Sequence, residues 1–152
     1  MTARNRPAHL DLSLVALVAL GGALGSAARF GLTEVWAPVG GLPVATLTAN
    51  VAGAFLLGAL LETLARRGAE TPRARRVRLG LGTGVLGGFT TFSSLALEAE
   101  RLLAGSQVLL SLGYAVGSLV LGLAACLGGI LLARRVGLRI VARTAGTREP
   151  TT

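Results

Sequence analysis

The sequence predicts an all-α integral membrane protein with four transmembrane helices, the third of which is interrupted. Hydrophobic residues make up 52% of the 152-residue chain and charged residues only 14%, and the mean hydropathy is +0.67. Four stretches contain no charged residue: 12–28, 35–61, 79–97 and 102–133. A membrane-spanning helix needs about 20 mostly apolar residues, so each stretch is a candidate span.

The helices are predicted over residues 11–33, 43–65, 76–103 and 107–133, within a membrane domain of residues 11–134. The second helix is predicted to begin at Pro43, because proline suits the first turn of a helix. The fourth helix follows the turn sequence Gly-Ser-Gln at 105–107. Residues 1–10 are predicted to form a cytoplasmic tail and residues 135–152 a basic, disordered cytoplasmic tail.

The third helix is predicted to be interrupted near its middle. The stretch GVLGGFTTFSS, residues 84–94, places paired glycines and four hydroxyl side chains in an otherwise apolar segment. Non-helical backbone at membrane depth is tolerated only where it is buried in protein or lines a cavity, and an unwound turn exposes carbonyls that can hold a cation. The alternative is a packing kink whose hydroxyls bond back to their own helix.

The charge distribution predicts how the helices cross the membrane. All 15 basic residues are arginines, and the net charge is +8. All but Arg29 and Arg101 precede the first helix, separate the second from the third, or follow the fourth. By the positive-inside rule, both termini and the middle loop are expected on the cytoplasmic side of a plasma membrane. Arginines that flank apolar spans in this way favour a membrane protein over a nucleic-acid-binding one.

Small residues recur at every fourth position of the predicted helices, which predicts close helix packing. The sets are Gly21 with Gly25, Ala49 with Gly53, Ala54 with Gly58, Gly80 with Gly84 and Gly88, and Gly113 with Gly117. Such spacing lets helix backbones approach closely in lipid. Four short helices with so many close-approach faces also suggest a dimer.

Polar side chains within the spans are the candidate functional residues, since such groups are costly in lipid and usually face the protein interior or a water path. Arg29 is either an interfacial side chain that reaches the headgroups or an attractor for anions. Thr46 and Asn50 lie four residues apart and share a face, as do Tyr114 and Ser118. Each pair either joins helices by hydrogen bonds or lines a path.

The chemistry of these side chains favours a small anion. The carboxylates Asp11, Glu34, Glu62, Glu98 and Glu100 all fall near predicted span ends. A proton-coupled cation exporter needs a central acid, whereas neutral donors and electropositive aromatic ring edges suit an anion. The sequence contains no nucleophile–base pair, metal-ligand cluster or phosphate loop, so we do not expect an enzyme.

Four segments resemble the signature regions of the CrcB/Fluc fluoride channel family. They are GGALGSAARF (21–30), TLTANVAGAFLLG (46–58), GVLGGFTTFSSLALE (84–98) and YAVGS (114–118). The resemblance implies an antiparallel two-fold dimer of four-helix subunits with two fluoride pores. It also implies passive release of toxic cytoplasmic fluoride.

The resemblance further implies a role for each candidate residue. Asn50 would donate to fluoride and Phe92 would present its ring edge. The remaining pore residues are Thr46, Ser93, Tyr114, Ser118 and, near the vestibule, Arg29. Backbone carbonyls of Gly87 and Thr90 would hold a structural sodium ion, and Glu98 matches an acidic position of the family.

Two features of the chain leave the assembly open. Leu95 stands where the family often has a second phenylalanine, so the pore fed by that position lacks a ring edge. The strong arginine bias favours a single orientation, which predicts a heterodimer with a related chain of opposite bias rather than a homodimer. The alternatives are a partner subunit with one degenerate pore and a small multidrug exporter, whose first helix would need an embedded carboxylate.

Overall fold

The computed structural model describes residues 11–146, except for the side chains of residues 139–146. The helices are α1 (Leu12–Val35), α2 (Val44–Ala65), α3 (Pro72–Val77), a π-helical segment (Arg78–Leu86), α4 (Gly87–Phe89), α5 (Phe92–Ala104) and α6 (Val108–Gly146). We call Pro72–Ala104, from α3 to α5, the third span.

Three helices of the described chain are long and apolar enough to cross a membrane. They are α1, α2 and the Val108–Leu138 part of α6. They coincide with the predicted first, second and fourth helices, and they confirm the prediction of a helical membrane protein. The third span is divided among shorter helical pieces, so its crossing of the membrane stays a prediction.

Local sequence signals explain where the first two helices begin. Asp11 caps α1, because its Oδ1 atom accepts a hydrogen bond from the Ser13 amide at 3.0 Å. Pro43 directly precedes α2, as predicted from the place of proline at helix starts. Between the two helices, Gly40 and Gly41 adopt φ angles of 59° and 85°, which glycine reaches without the strain that a side chain would cause.

The third span is interrupted at Thr90 and Thr91, which confirms the predicted break. Their backbones are extended, with ψ angles of 153° and 126°. Gly87 and Gly88 are helical, so the break follows the paired glycines instead of including them. Thr91 restarts the helix, since its hydroxyl accepts a hydrogen bond from the Ser94 amide at 3.1 Å.

Glycines hold the π-helical segment and α4 directly against α1. The Cα atom of Gly21 lies 3.1 Å from the position that a Cβ on Gly84 would occupy. A Cβ on Gly88 would lie 2.3 Å from the Gly22 carbonyl oxygen. These contacts leave no room for a side chain, and they confirm the packing role predicted for the glycines of the first and third helices.

The predicted pair Gly113 and Gly117 of α6 differs from Gly21 and Gly25 of α1. Nothing in the described chain lies within 4 Å of a Cβ built on Gly113 or Gly117. The close approach predicted for this pair therefore has no partner within the described part of the subunit. The dimer that the spacing suggested stays a prediction.

The last helix extends past its predicted end at residue 133. It continues through the residues predicted as a disordered tail as far as Gly146. Alanine, arginine and leucine in this stretch favour a helix, and Arg134 is anchored by a hydrogen bond of 3.0 Å from its Nε atom to Glu62 on α2. Polarity alone therefore did not mark the helix end. The predicted tail residues 1–10 and 147–152 lie outside the described residues.

Candidate functional site

The side chain of Asn50 bridges the break in the third span. Its Nδ2 atom donates to the Thr91 carbonyl at 2.9 Å, and its Oδ1 atom accepts from the Thr91 amide at 2.7 Å. The asparagine thereby replaces the two helical bonds that the extended backbone of Thr91 cannot make. Because an amide carries two N–H donors, one donor of Asn50 remains for another acceptor.

The Asn50 bridge and the Thr91 cap together leave two backbone carbonyls near the break without their helical donors. In a continuous helix the Thr91 amide would donate to the carbonyl of Gly87, and the Ser94 amide to that of Thr90. Here the first amide donates to Asn50 and the second to the Thr91 hydroxyl. Among the described residues, neither carbonyl receives another backbone donor. The carbonyls predicted to hold a cation thus have the free lone pairs that this role requires.

Arg29 lies on the opposite side of the break, on α1. It is partly buried, and its Nε atom donates to the Gly88 carbonyl at 3.4 Å. The Ser26 hydroxyl donates to the same carbonyl at 3.3 Å. These contacts place Arg29 against protein, whereas a purely interfacial side chain would extend to the headgroups. A positive charge is therefore fixed beside the interrupted backbone.

A groove of about 630 Å³ begins at the break. It is lined by Asn50, Thr90, Thr91, Phe92, Leu95 and Ser118, together with small and apolar residues of α2 and α6. The ring of Phe92 is 73% exposed, although it is a large apolar side chain beside a packed helix. The groove thus combines amide, hydroxyl and aromatic groups without a carboxylate among its lining residues.

Glu98 organises a second polar cluster, between α2, α5 and α6. The Thr46 hydroxyl donates to its Oε1 atom at 2.6 Å, and the Tyr114 hydroxyl donates to its Oε2 atom at 2.5 Å. Thr46 is 1% and Tyr114 4% exposed. The sequence placed Glu98 near a span end, and its partner Thr46 indeed lies close to the start of α2. The structure adds that the carboxylate of Glu98 joins three helices.

The two predicted serines differ in their surroundings. Ser118 is buried, and its hydroxyl donates to the Tyr114 carbonyl of the same helix at 2.6 Å. Ser93 is exposed at the start of α5, where its hydroxyl lies 3.1 Å from that of Thr91. Ser118 therefore adjoins both the groove and the Glu98 cluster, whereas Ser93 belongs to the break alone.

Leu95 lies between the groove and the protein core. It is only 6% exposed and packs with Leu102 and Tyr114 in the main apolar cluster, and it also contributes to the groove lining. Its aliphatic side chain thus borders both the groove and the apolar cluster that contains Tyr114. It offers no electropositive ring edge to an anion.

Sequence reasoning missed two residues of the site. Thr91 was expected only as part of the break, yet its backbone and hydroxyl make most of the bonds there. Ser111 is 2% exposed and donates to the Ala99 carbonyl at 2.7 Å, joining α6 to α5. A threonine directly before a helix is a typical N-cap, so the role of Thr91 could have been predicted. The sequence holds no comparable signal for Ser111.

The groups of the groove suit the passage of an anion. The described residues contain no group of three or more His, Cys, Asp or Glu side chains that could hold a metal ion. The groove instead presents neutral donors and one nearby guanidinium, at Arg29. Such groups can replace the hydration shell of a small anion, as pore-lining groups do in channels.

Removing the hydroxyl of Tyr114 tests the Glu98 cluster. We expect Tyr114→Phe to lower the free energy of unfolding by about 1.5–3 kcal/mol, the usual range for a hydrogen bond to a charged group. Thermal unfolding of the purified protein in detergent measures the change. Ser118→Ala is the matched control, because its hydroxyl bonds only within its own helix, and we expect a loss below about 1 kcal/mol. Equal stability of Tyr114→Phe and the unchanged protein would contradict the cluster.

Comparisons with known proteins give one consistent family. Residues 16–130 match the model of the family described as CrcB-like protein, Camphor Resistance (CrcB). The chain is 47% identical over 133 residues to the fluoride-specific ion channel FluC 2 of Leifsonia xyli subsp. xyli, covering 88% of this chain and 92% of the relative. It is 53% identical over 109 residues to the fluoride-specific ion channel FluC of Thermus thermophilus, covering 70% and 84%.

Proposed function

Since this chain belongs to the CrcB-like protein family, we propose that it is a subunit of a fluoride-specific ion channel. The relatives that carry that name are similar to it over most of their length. The structural observation that carries the proposal is the break at Thr90 and Thr91, bridged by Asn50 beside the exposed ring of Phe92. A channel of this kind is not an enzyme.

Fluoride would pass along the groove at the break. It is small and strongly hydrated, so its path must supply donors in place of water. Asn50 retains one N–H donor toward the groove, and Phe92 contributes its ring edge. Arg29 supplies a positive charge nearby, Ser118 adds a hydroxyl of the groove lining, and Ser93 adds one at the break.

The Glu98 cluster would continue this path. The hydroxyls of Thr46 and Tyr114 are both oriented by the carboxylate that accepts their hydrogen bonds. Oriented hydroxyls meet an arriving anion without a large rearrangement, which lowers the cost of exchanging one acceptor for another. Glu98 therefore positions two donors, and its negative charge keeps an anion from binding too tightly to leave.

The subunit would form an antiparallel two-fold dimer with two pores. An incomplete interior supports this, since Phe92 is 73% exposed and Gly113 and Gly117 of α6 face open space within the described chain. A third span that crosses the membrane would complete four crossings in each subunit. An antiparallel dimer needs one subunit in each orientation across the membrane. The arginine bias of this chain favours a single orientation, so the partner would be a related chain of opposite bias rather than a second copy.

A structural sodium ion would bind at the break. The carbonyls of Gly87 and Thr90 have lost their helical donors, and unwound backbone of this kind coordinates sodium in membrane proteins. A two-fold axis beside the break would bring the same pair from the partner subunit. The ion would supply charge compensation for the converging carbonyls, while Asn50 keeps the backbone of Thr91 extended.

Fluoride movement would be passive and outward, from the cytoplasm through the plasma membrane, and it would lower fluoride toxicity. The termini and the arginine-rich middle loop would lie in the cytoplasm. No energy source is required, because fluoride that accumulates inside the cell runs down its own gradient.

Fluoride efflux from liposomes tests the function. The purified full-length protein is reconstituted, and a fluoride electrode records the release of fluoride. Chloride-loaded liposomes, followed with a chloride electrode, are the control. We expect fluoride release far above that of empty liposomes, and no chloride release. Release of neither ion, with a folded protein and with a related partner chain added, would contradict the channel. Rapid release by this protein alone would contradict the heterodimer while supporting the channel.

Leu95 supports a second candidate, a partner subunit with one degenerate pore. It is buried against Leu102 and Tyr114, where an aromatic ring edge would otherwise border the path. Substitution of Phe92 in this chain, combined with an unchanged partner, separates the two candidates. Loss of efflux indicates a conducting pore, and unchanged efflux indicates a purely structural subunit.

A further inference from the structure

We propose that the arginine-rich end of the helix bundle binds the phosphate groups of anionic phospholipids. We call this surface the arginine end. Its described members are Arg66, Arg67, Arg73, Arg75, Arg76, Arg78, Arg134 and Arg135. The proposal depends on the membrane assignment, and it is independent of fluoride conduction.

Contacts within the structure bring these arginines together from separate segments. Arg134 of α6 and Arg66 of α2 both donate to Glu62, at 3.0 and 2.9 Å. Arg78 donates to Glu70 at 2.7 Å across the α2–α3 connection. These ion pairs place the end of α2, the start of the third span and the distal part of α6 at one end of the bundle.

The start of α1 lies at the same end. Hydrogen bonds from Ser13 hold the pKa of the Asp11 carboxyl below its ordinary value, and the positive charge of Arg76 contributes to the shift. The hydrogen bond from Arg78 likewise lowers the pKa of Glu70. Both carboxylates therefore stay ionised at neutral pH, and with Glu62 they are the acidic residues of this end.

These three carboxylates leave the arginine end with a large excess of positive charge. Among the described side chains, Arg67, Arg73, Arg75, Arg76 and Arg135 form no ion pair within 4.0 Å. All of them except Arg75 are exposed. A guanidinium group is a planar fork of donors that matches two phosphate oxygens. The exposed arginines are thus free to bind phosphate.

The position of these arginines favours a lipid as the source of the phosphate. They lie where apolar helices end, which is the depth of the headgroups. Beside Arg134 and Arg135 on α6, Val136 is 48% and Leu138 61% exposed. Exposed apolar residues next to basic ones are typical of a helix that rests in the membrane interface. Clusters of arginine at this depth attract anionic headgroups.

The chain is poorly suited to nucleic acid as an alternative. Aromatic residues make up only 4% of the sequence, and proteins that bind single strands rely on aromatic side chains to stack the bases. The exposed aliphatic side chains of α6 have no counterpart in a phosphate backbone. The observations therefore favour a phospholipid.

Native mass spectrometry of the purified full-length protein in neutral detergent tests the proposal. Phosphatidylglycerol and phosphatidylcholine with identical acyl chains are supplied in equal amounts. We expect the protein to retain about 5-fold more of the anionic lipid, and 0.5 M salt to reduce this preference by screening. The quadruple variant R67Q/R73Q/R76Q/R135Q should reduce the preference to below about 2-fold. Arg101→Gln, at the opposite end, is the matched control and should change nothing.

Three results would overturn the proposal. The first is equal retention of both lipids by the unchanged protein. The second is a preference that survives in the quadruple variant, or that Arg101→Gln abolishes. The third is displacement of phosphatidylglycerol by equimolar inorganic phosphate or by a short RNA, which would make the site one for free phosphate or nucleic acid. If the quadruple variant does not fold, the salt dependence of the unchanged protein tests the proposal. A preference for phosphatidylglycerol that 0.5 M salt does not reduce would then overturn it.

Discussion

Replacement of Asn50 by aspartate is expected to lower fluoride efflux by about 100-fold or more, the largest functional effect of any single change that we consider. The substitution keeps an oxygen that accepts the Thr91 amide, which now lies 2.7 Å from Oδ1. It removes both N–H donors and places a negative charge beside the groove. Repulsion between like charges is strong in a medium of low dielectric constant, and a barrier increase of about 2.7 kcal/mol corresponds to 100-fold.

Efflux from liposomes, normalised to the amount of folded protein, measures the effect. Thr48→Val is the matched control, because Thr48 lies two residues earlier on α2 and borders a different, apolar cavity. We expect this isosteric change to alter efflux by less than about 2-fold. Efflux near that of the unchanged protein in a folded Asn50→Asp variant would remove Asn50 from the fluoride path.

The helices of this protein were largely predictable from the sequence, for reasons that differ from helix to helix. The second was predicted to begin at Pro43, and the structure has Pro43 directly before its first residue. The first begins at a cap formed by Asp11, which was not predicted from the sequence. The fourth helix was predicted to end at residue 133, where the hydrophobic run stops. Its continuation to Gly146 runs through alanine, arginine and leucine residues that favour a helix, which hydropathy does not reveal.

The position of the break was predictable only approximately. Glycine and threonine are both weak helix formers, so the composition of residues 87–91 did not determine which of them would leave the helix. Gly87 and Gly88 are helical, and Gly88 packs against α1 too closely for any side chain. Thr90 and Thr91 are extended because Asn50, 41 residues earlier in the chain, compensates the Thr91 backbone.

The candidate site shows the same limit. The spacing of Thr46 with Asn50, and of Tyr114 with Ser118, correctly placed each pair on one helix face. It could not show that Thr46 and Tyr114 meet on a single carboxylate, because that pairing joins residues 52 and 16 positions from Glu98. Periodicity identifies which residues face inward, and only the folded chain determines which of them meet.

The packing of α1 against the third span gives the largest expected effect on stability. We expect Gly25→Ala to lower the free energy of unfolding by about 3 kcal/mol or more, because overpacking of a well-packed interior is costly. The new Cβ would lie 2.0 Å from the Val85 carbonyl oxygen and 2.8 Å from the Phe89 amide nitrogen. Both neighbours are backbone atoms, so relief requires the helices to move apart.

Gly31→Ala is the matched control for this prediction, since it makes the same change on the same helix. Nothing lies within 4 Å of a Cβ at that position, and alanine exceeds glycine in helix propensity by about 1 kcal/mol. The two variants should therefore shift thermal unfolding in detergent in opposite directions. Gly25→Ala should also reduce fluoride efflux per folded subunit, because separation of α1 from the third span withdraws Arg29 from the Gly88 carbonyl beside the break. Equal stability of the two variants would show that α1 and the third span do not pack as closely as the glycine contacts require.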